Sequence, residues 1–221
     1  MSKHIVIDAR SRPSSTGRYA DRLLQHLQTL DTENTYTVLL RPKDEWQPTA
    51  KNFTTAVCPF KQFSFNPLDQ IKFARFLKDL RPDLVHFAMT PQEPLFYFGD
   101  RVTTTHDLTM LRYTRAGKLP IVLHWVRMAG YRMLFWSAHR KAKRVIVPTQ
   151  FVADDLRARY GFTADKTVVT YESSEPPLDV KADPLSGVTE PFIMHVGSPF
   201  PHKNLQRLIE GFELVLQHRP E

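Results

Sequence analysis

The 221-residue sequence contains one cysteine, Cys58. An internal disulfide, a cysteine-built zinc site and a Cys-x-x-Cys redox pair are therefore excluded, and the composition suits a reducing compartment. Glycine is scarce, with eight in all. None forms GxGxxG, Gly117-Lys118 lacks the upstream glycine of a P-loop, and HExxH and GxSxG do not occur. Any phosphate contact must come from isolated glycine turns. No run of about 18 apolar residues is present to span a bilayer. Met1–His4 leads straight into Ile5-Val6-Ile7 without the apolar stretch of a signal peptide. The expected location is cytoplasmic, at most peripheral to the inner face of the membrane.

The residues that are present suffice for a folded core: 42% are apolar and 24% charged, with 15 Phe, 7 Tyr and 3 Trp. A net charge of +7 favours anionic partners, either nucleotide phosphates, an acidic membrane face or nucleic acid. Nucleic acid ranks last, because the basic residues are scattered without an aromatic-basic module.

Short apolar runs recur at His4–Asp8, Tyr36–Leu40, Thr54–Cys58, Leu84–Ala88, Val102–His106, Val145–Pro148, Thr167–Tyr171 and Phe192–Gly197, and they read as buried strands. Helical spacing lies between them. After Gly17 the stripe is Tyr19, Leu23, Leu24, Leu27 and Leu30; before Arg81-Pro82 it is Leu68, Ile71, Ala74, Leu77 and Leu80. Thr149 suits the N-cap of a helix running to about Tyr160, with Gly161 beyond its end. Strands alternating with helices predict a doubly wound, Rossmann-like parallel sheet covered on both faces. The expected organisation is one α/β domain over 1–175, a proline-rich linker over 176–191, and over 192–221 the first strand and helix of a truncated second domain.

Three loops carry candidate chemistry. In Ser14-Ser15-Thr16-Gly17-Arg18-Tyr19 a glycine and free amides open a helix, which suits phosphate; an ordinary Ser/Thr-capped turn has the same look. In Thr103-Thr104-Thr105-His106-Asp107-Leu108 a histidine and a carboxylate follow an interior strand, where ligand crevices of open α/β sheets lie. His106 could bond a sugar hydroxyl, or simply satisfy a loop carbonyl. In Gly197–Asn204 a lysine and amides at a helix start could hold a diphosphate, or Lys203 could be a solvated loop residue. The stretch Leu119–Arg144 predicts a helix apolar nearly all round and laced with basic residues. It is either sandwiched inside the domain or able to touch anionic lipid.

Taken together and in order, these motifs resemble the retaining GT-B glycosyltransferases of family 4. The carriers are Ile5–Arg10 with Thr16-Gly17-Arg18-Tyr19, Leu84-Val85-His86-Phe87, Thr105-His106-Asp107-Leu108, Ala142–Phe151 and Phe192–Asn204. The resemblance implies transfer of a sugar, of hexosyl type, from a nucleotide-sugar donor to a glycan or lipid-linked acceptor with retention and without a metal or other cofactor. His106 matches the family's catalytic histidine, and Gly17, Arg18, Asp107 and Thr149 fall at substrate-binding positions. Ser198, Lys203 and Asn204 fall at donor phosphate positions. The family's nucleotide pocket would lie beyond residue 221, so the chain is expected to be inactive alone. A non-catalytic membrane-associated or nucleotide-binding module is the alternative, and the tail offers a surface for self-association.

Overall fold

The computed structural model describes residues 2–12, 17–114, 119–173, 187 and 192–218. The chain divides into two units, Met1–Ser173 and Ser174–Glu221. In the first, seven strands form one sheet: β1 (His4–Asp8), β2 (Thr35–Leu40), β3 (Phe53–Val57), β4 (Leu84–Phe87), β5 (Arg101–Thr104), β6 (Arg144–Val147) and β7 (Thr167–Val169). All pairs are parallel, in the order β3-β2-β1-β4-β5-β6-β7. The helices are α1 (Gly17–Leu30), α2 (Pro67–Asp79), the single turn α3 (Thr109–Arg112), α4 (Ile121–Lys141) and α5 (Gln150–Arg159).

Successive strand residues feed opposite faces, which is why the strands covered on both, β1, β2, β4 and β6, read as mostly apolar runs. Val6, Leu39, Val85 and Phe87 pack with Phe73, Ala74 and Leu77 of α2. Ile7, Val38, Leu40 and Ala88 pack with Ala20 and Leu24 of α1. A third cluster joins Val145 and Val147 of β6 to Leu108, Leu111, Phe135 and the α5 residues Val152, Ala153 and Leu156. This is the doubly wound, Rossmann-like α/β arrangement.

Two helix faces differ from the sequence reading. Asn66 caps α2 by accepting from Leu68 N at 3.0 Å, but the buried face is Gln70, Phe73, Ala74 and Leu77. Leu68 and Ile71 stay exposed. Phe73 directs the choice, because its ring meets Phe60 at 5.5 Å and lies under the Arg10 guanidinium at 4.3 Å, contacts that a Leu68-centred face would forgo. In α1, Leu30 is outside the core and the buried stripe ends with Leu24.

The core also holds a buried ion pair. Arg10 donates through Nε to Asp8 Oδ1 at 2.7 Å and through Nη2 to Asp8 Oδ2 at 2.6 Å, and both side chains are fully buried. Its remaining donors reach Phe60 O at 3.0 Å and Gln92 O at 3.2 Å, tying two further segments to the end of β1.

In the second unit α6 (Leu205–His218) forms, with a 3-10 turn at Pro201–Lys203 before it. Phe192–Gly197 is not a strand. A strand exists only with a neighbour to receive its N–H and C=O groups, and among the described residues of this unit there is no other extended segment to supply one.

Candidate functional site

The strand order turns about β1 and β4: from β1 the chain builds outward to β2 and β3, then returns to lay β4 on the other side. Crevices outside the carboxyl ends of strands at such a point are the usual ligand sites of open α/β sheets. His106 lies there, two residues past the end of β5.

Both edges of its ring are engaged. Nε2 donates to Ala88 O, just past β4, at 3.0 Å, and Nδ1 faces Glu172 Oε1 at 3.2 Å. The Tyr19 ring meets the imidazole edge-on, 4.9 Å between centroids and 79° between planes. Tyr19 OH is 3.1 Å from Thr104 Oγ1, which is 2.9 Å from Nε2 of buried His86. Burial, and then the neighbouring charge of His106, lowers the His86 pKa to about 4, so His86 is neutral near pH 7. Beneath the loop, Thr103 donates to Thr90 at 3.2 Å, Thr90 and Thr105 share a 2.6 Å bond, and Thr105 lies 2.8 Å from His139 Nε2. Three consecutive threonines are thus each held by side-chain bonds, Thr103 and Thr105 through the same Thr90, and the residue that follows them inherits a defined position. The result is a half-buried imidazole whose Nδ1 edge is open to exchange: a hydroxyl bonds there by taking the place of the half-exposed Glu172 carboxylate, while Nε2 keeps its bond to Ala88 O.

The other expected residues have separate placements. Gly17 opens α1 against the preceding loop so closely that a Cβ would lie 2.1 Å from Ser11 O and 2.2 Å from Arg12 O; that close approach sets the helix that carries Tyr19 to His106. Arg18 is exposed on the same turn. Ser14–Thr16 fall outside the described residues. Asp107 Oδ1 accepts from Thr109 N at 2.8 Å and starts α3. Thr149 caps α5, its hydroxyl accepting from Val152 N at 3.2 Å. Ser198, Lys203 and Asn204 belong to the second unit and are exposed. Asn204, in the left-handed region at φ 52°, accepts through its carbonyl from Leu208 N at 3.3 Å. Among the described residues no group of three or more His, Cys, Asp or Glu side chains is placed to hold a metal. The sequence reading gave Tyr19, Thr104 and Glu172 no role in the site; Tyr19 and Thr104 read only as members of the first two candidate loops, and Glu172 as a residue near the end of the expected 1–175 domain.

The buried histidines set an acid sensitivity. Burial lowers the pKa of His139 to about 3, and that of His86 to about 4, from an ordinary 6.5. Between about pH 6.5 and 4 the unfolded chain therefore binds protons that the folded chain does not, and stability falls as pH falls. Buried Glu93, raised to about 7 by desolvation, acts in the opposite direction above its ordinary 4.5, but it is one group against two. Urea midpoints are expected to drop across that window by an amount equivalent to a few kcal/mol, at about 1.4 kcal/mol per pKa unit per group. A midpoint independent of pH there would contradict the neutral, buried placement of both imidazoles.

Residues 16–172 match the family model described as Glycosyltransferase Family 4. The match opens beside Gly17 and closes on Glu172, the carboxylate that faces His106. Among solved structures the chain is similar to the apo form of the lipopolysaccharide outer core galactosyltransferase WaaB, with 13% identity and a TM-score of 0.43 over 82% of this chain and 50% of that one. The chain thus spans about half the length of that protein. No curated protein sequence matches it. Since the family match takes in every strand after β1 and well over half of the residues, the chain belongs to glycosyltransferase family 4.

Proposed function

We propose that the chain is the acceptor-side part of a glycosyltransferase that moves a hexosyl group, with retention, from a nucleotide sugar to a glycan or lipid-linked acceptor. The observation that carries this reading is His106, fixed at the carboxyl edge of the sheet between Ala88 O and Glu172 within the family-matched span. An imidazole in that position can hold a sugar hydroxyl while charge develops at the anomeric carbon. Tyr19 would form one wall on the acceptor side. The donor diphosphate would be met by Lys203, with Ser198 and Asn204 beside it, as charge and direct donors that call for no metal.

The described part of the second unit holds one helix with no buried residue, which leaves nothing there to enclose a base and ribose. Its exposed Leu208, Ile209, Leu214 and Val215 suit a protein contact, a second copy included. Calorimetry with a panel of nucleotide sugars is therefore expected to show weak binding and no turnover by this chain alone, while acceptor saccharides shift the Tyr19 ring signals in NMR spectra. Micromolar donor binding would contradict the division of labour between the units. Silence of Tyr19 toward every saccharide tried would contradict the acceptor-side assignment.

A further inference from the structure

Of the two readings open for Leu119–Arg144, the sandwiched helix is not the one that forms. One side of α4 is seated: His124, Met128, Leu134, Phe135 and Ala138 are buried, and the Phe65 ring fits against Gly130, where a Cβ would come within 2.7 Å of it. Phe65 also meets the Tyr131 ring at 5.2 Å. The opposite side carries Ile121, Val122, Trp125, Val126, Met133 and Trp136, each at least 50% exposed. Val122, Val126, Ala129, Met133 and Trp136 follow one another at steps of four and three, a continuous stripe down the helix. Surfaces of this kind are too large and too apolar to be incidental.

Charge identifies what covers it. Residues 108–153 contain no Asp or Glu and nine of the chain's 30 Lys and Arg; the rest of the chain has 21 basic residues against 23 acidic ones. The whole positive surplus therefore sits on α4 and its flanks. Arg112 pairs with Asp155 and Lys143 with Asp100, acids outside this stretch. Arg132 and Arg140, on the exposed side of α4, are in no ion pair among the described residues. A symmetric pairing of two copies through this face would set these arginines against their own images. No described helix is long and apolar enough to cross a membrane.

We propose that α4 lies flat in the surface of an anionic lipid bilayer, its Val/Met/Trp stripe sunk into the acyl boundary and its arginines among the phosphates. Tryptophan suits that depth, since its ring is apolar and its N–H still finds a partner. The inference rests on the transferase reading only for its purpose, which is to meet a lipid-linked acceptor at the membrane. Binding itself is a property of α4, so a chain that docks but belongs to no sugar-transferring enzyme would overturn the earlier reading and leave this one standing.

The test is flotation of the whole chain with phosphatidylglycerol–phosphatidylcholine vesicles and with phosphatidylcholine alone. Binding to the anionic vesicles is expected to be tighter by about 30-fold, roughly what two arginines near a charged surface supply, and to bring a blue shift of tryptophan emission. Trp125→Gln with Trp136→Gln should weaken binding about tenfold or more while leaving the thermal midpoint near that of the parent, because both rings already face solvent. If that variant fails to fold, Val122→Ser with Val126→Ser serves in its place. Equal binding, or none, to both vesicle types would overturn the proposal, as would unchanged binding by the folded variants. So would binding without an emission shift that vanishes in high salt, which is charge attraction alone, or a lipid-free dimer in which the tryptophans are shielded.

Discussion

Asp8→Ala is expected to lower the unfolding free energy of the first unit by about 3–5 kcal/mol. The Arg10 guanidinium is fully buried and gives two of its bonds to the Asp8 carboxylate, so removing that carboxylate leaves a cation in the core with no anion beside it, only neutral groups such as Phe60 O, Gln92 O and the Phe73 ring. Arginine cannot escape by giving up its proton at ordinary pH. The effect lies in the uncompensated charge rather than in the strength of the pair, and replacing both partners tells the two apart. Asp8→Leu combined with Arg10→Met should recover much of the loss, because a buried pair exchanged for apolar groups of similar volume is close to neutral. Urea denaturation of the three variants measures this directly. A single substitution costing less than about 1 kcal/mol, the range of exposed pairs, would mean that the pair is hydrated in solution.

The parts of the fold legible in the sequence share one physical cause. Strands covered on both faces are largely apolar, so β1, β2, β4 and β6 appear as short runs that need no knowledge of their partners. Phe192–Gly197 has the same pattern without the structure, because pattern reports what a segment can bury and not whether a neighbouring strand is there to bond it. The face of α2 was misread because spacing alone weighs Leu68 and Phe73 alike, whereas Phe60 and Arg10, both distant in sequence, favour Phe73. For α4, an all-round apolar composition is common to a buried helix and to one with an outward apolar stripe.

The site divides along the same line. The position of His106 at the carboxyl end of an interior strand was legible from the strand before it, and the ordered motifs around it, rather than the residue alone, made it a candidate. Its surroundings were not legible: Glu172, Tyr19 and His86 reach it or its support from 66, 87 and 20 positions away in the chain. No local spacing announces such a group. Asp107 and Thr149 illustrate the converse, since residues that match a motif can be engaged in starting the next helix.

His106→Ala is expected to lower turnover in the donor-competent protein by roughly 30- to 1000-fold, equivalent to about 2–4 kcal/mol of barrier. The affinity for acceptor should change much less, because a bond to a donor hydroxyl matters most in the charged transition state. The threonine network and the Tyr19–Thr104–His86 chain do not depend on the imidazole, so the fold should survive its loss. The most direct measurement of the central claim is therefore turnover per folded molecule and thermal midpoint, taken side by side for the parent and His106→Ala. The account expects turnover to collapse while the midpoint stays within a few degrees; a lowered midpoint with near-normal turnover would make His106 a structural residue and remove it from the site.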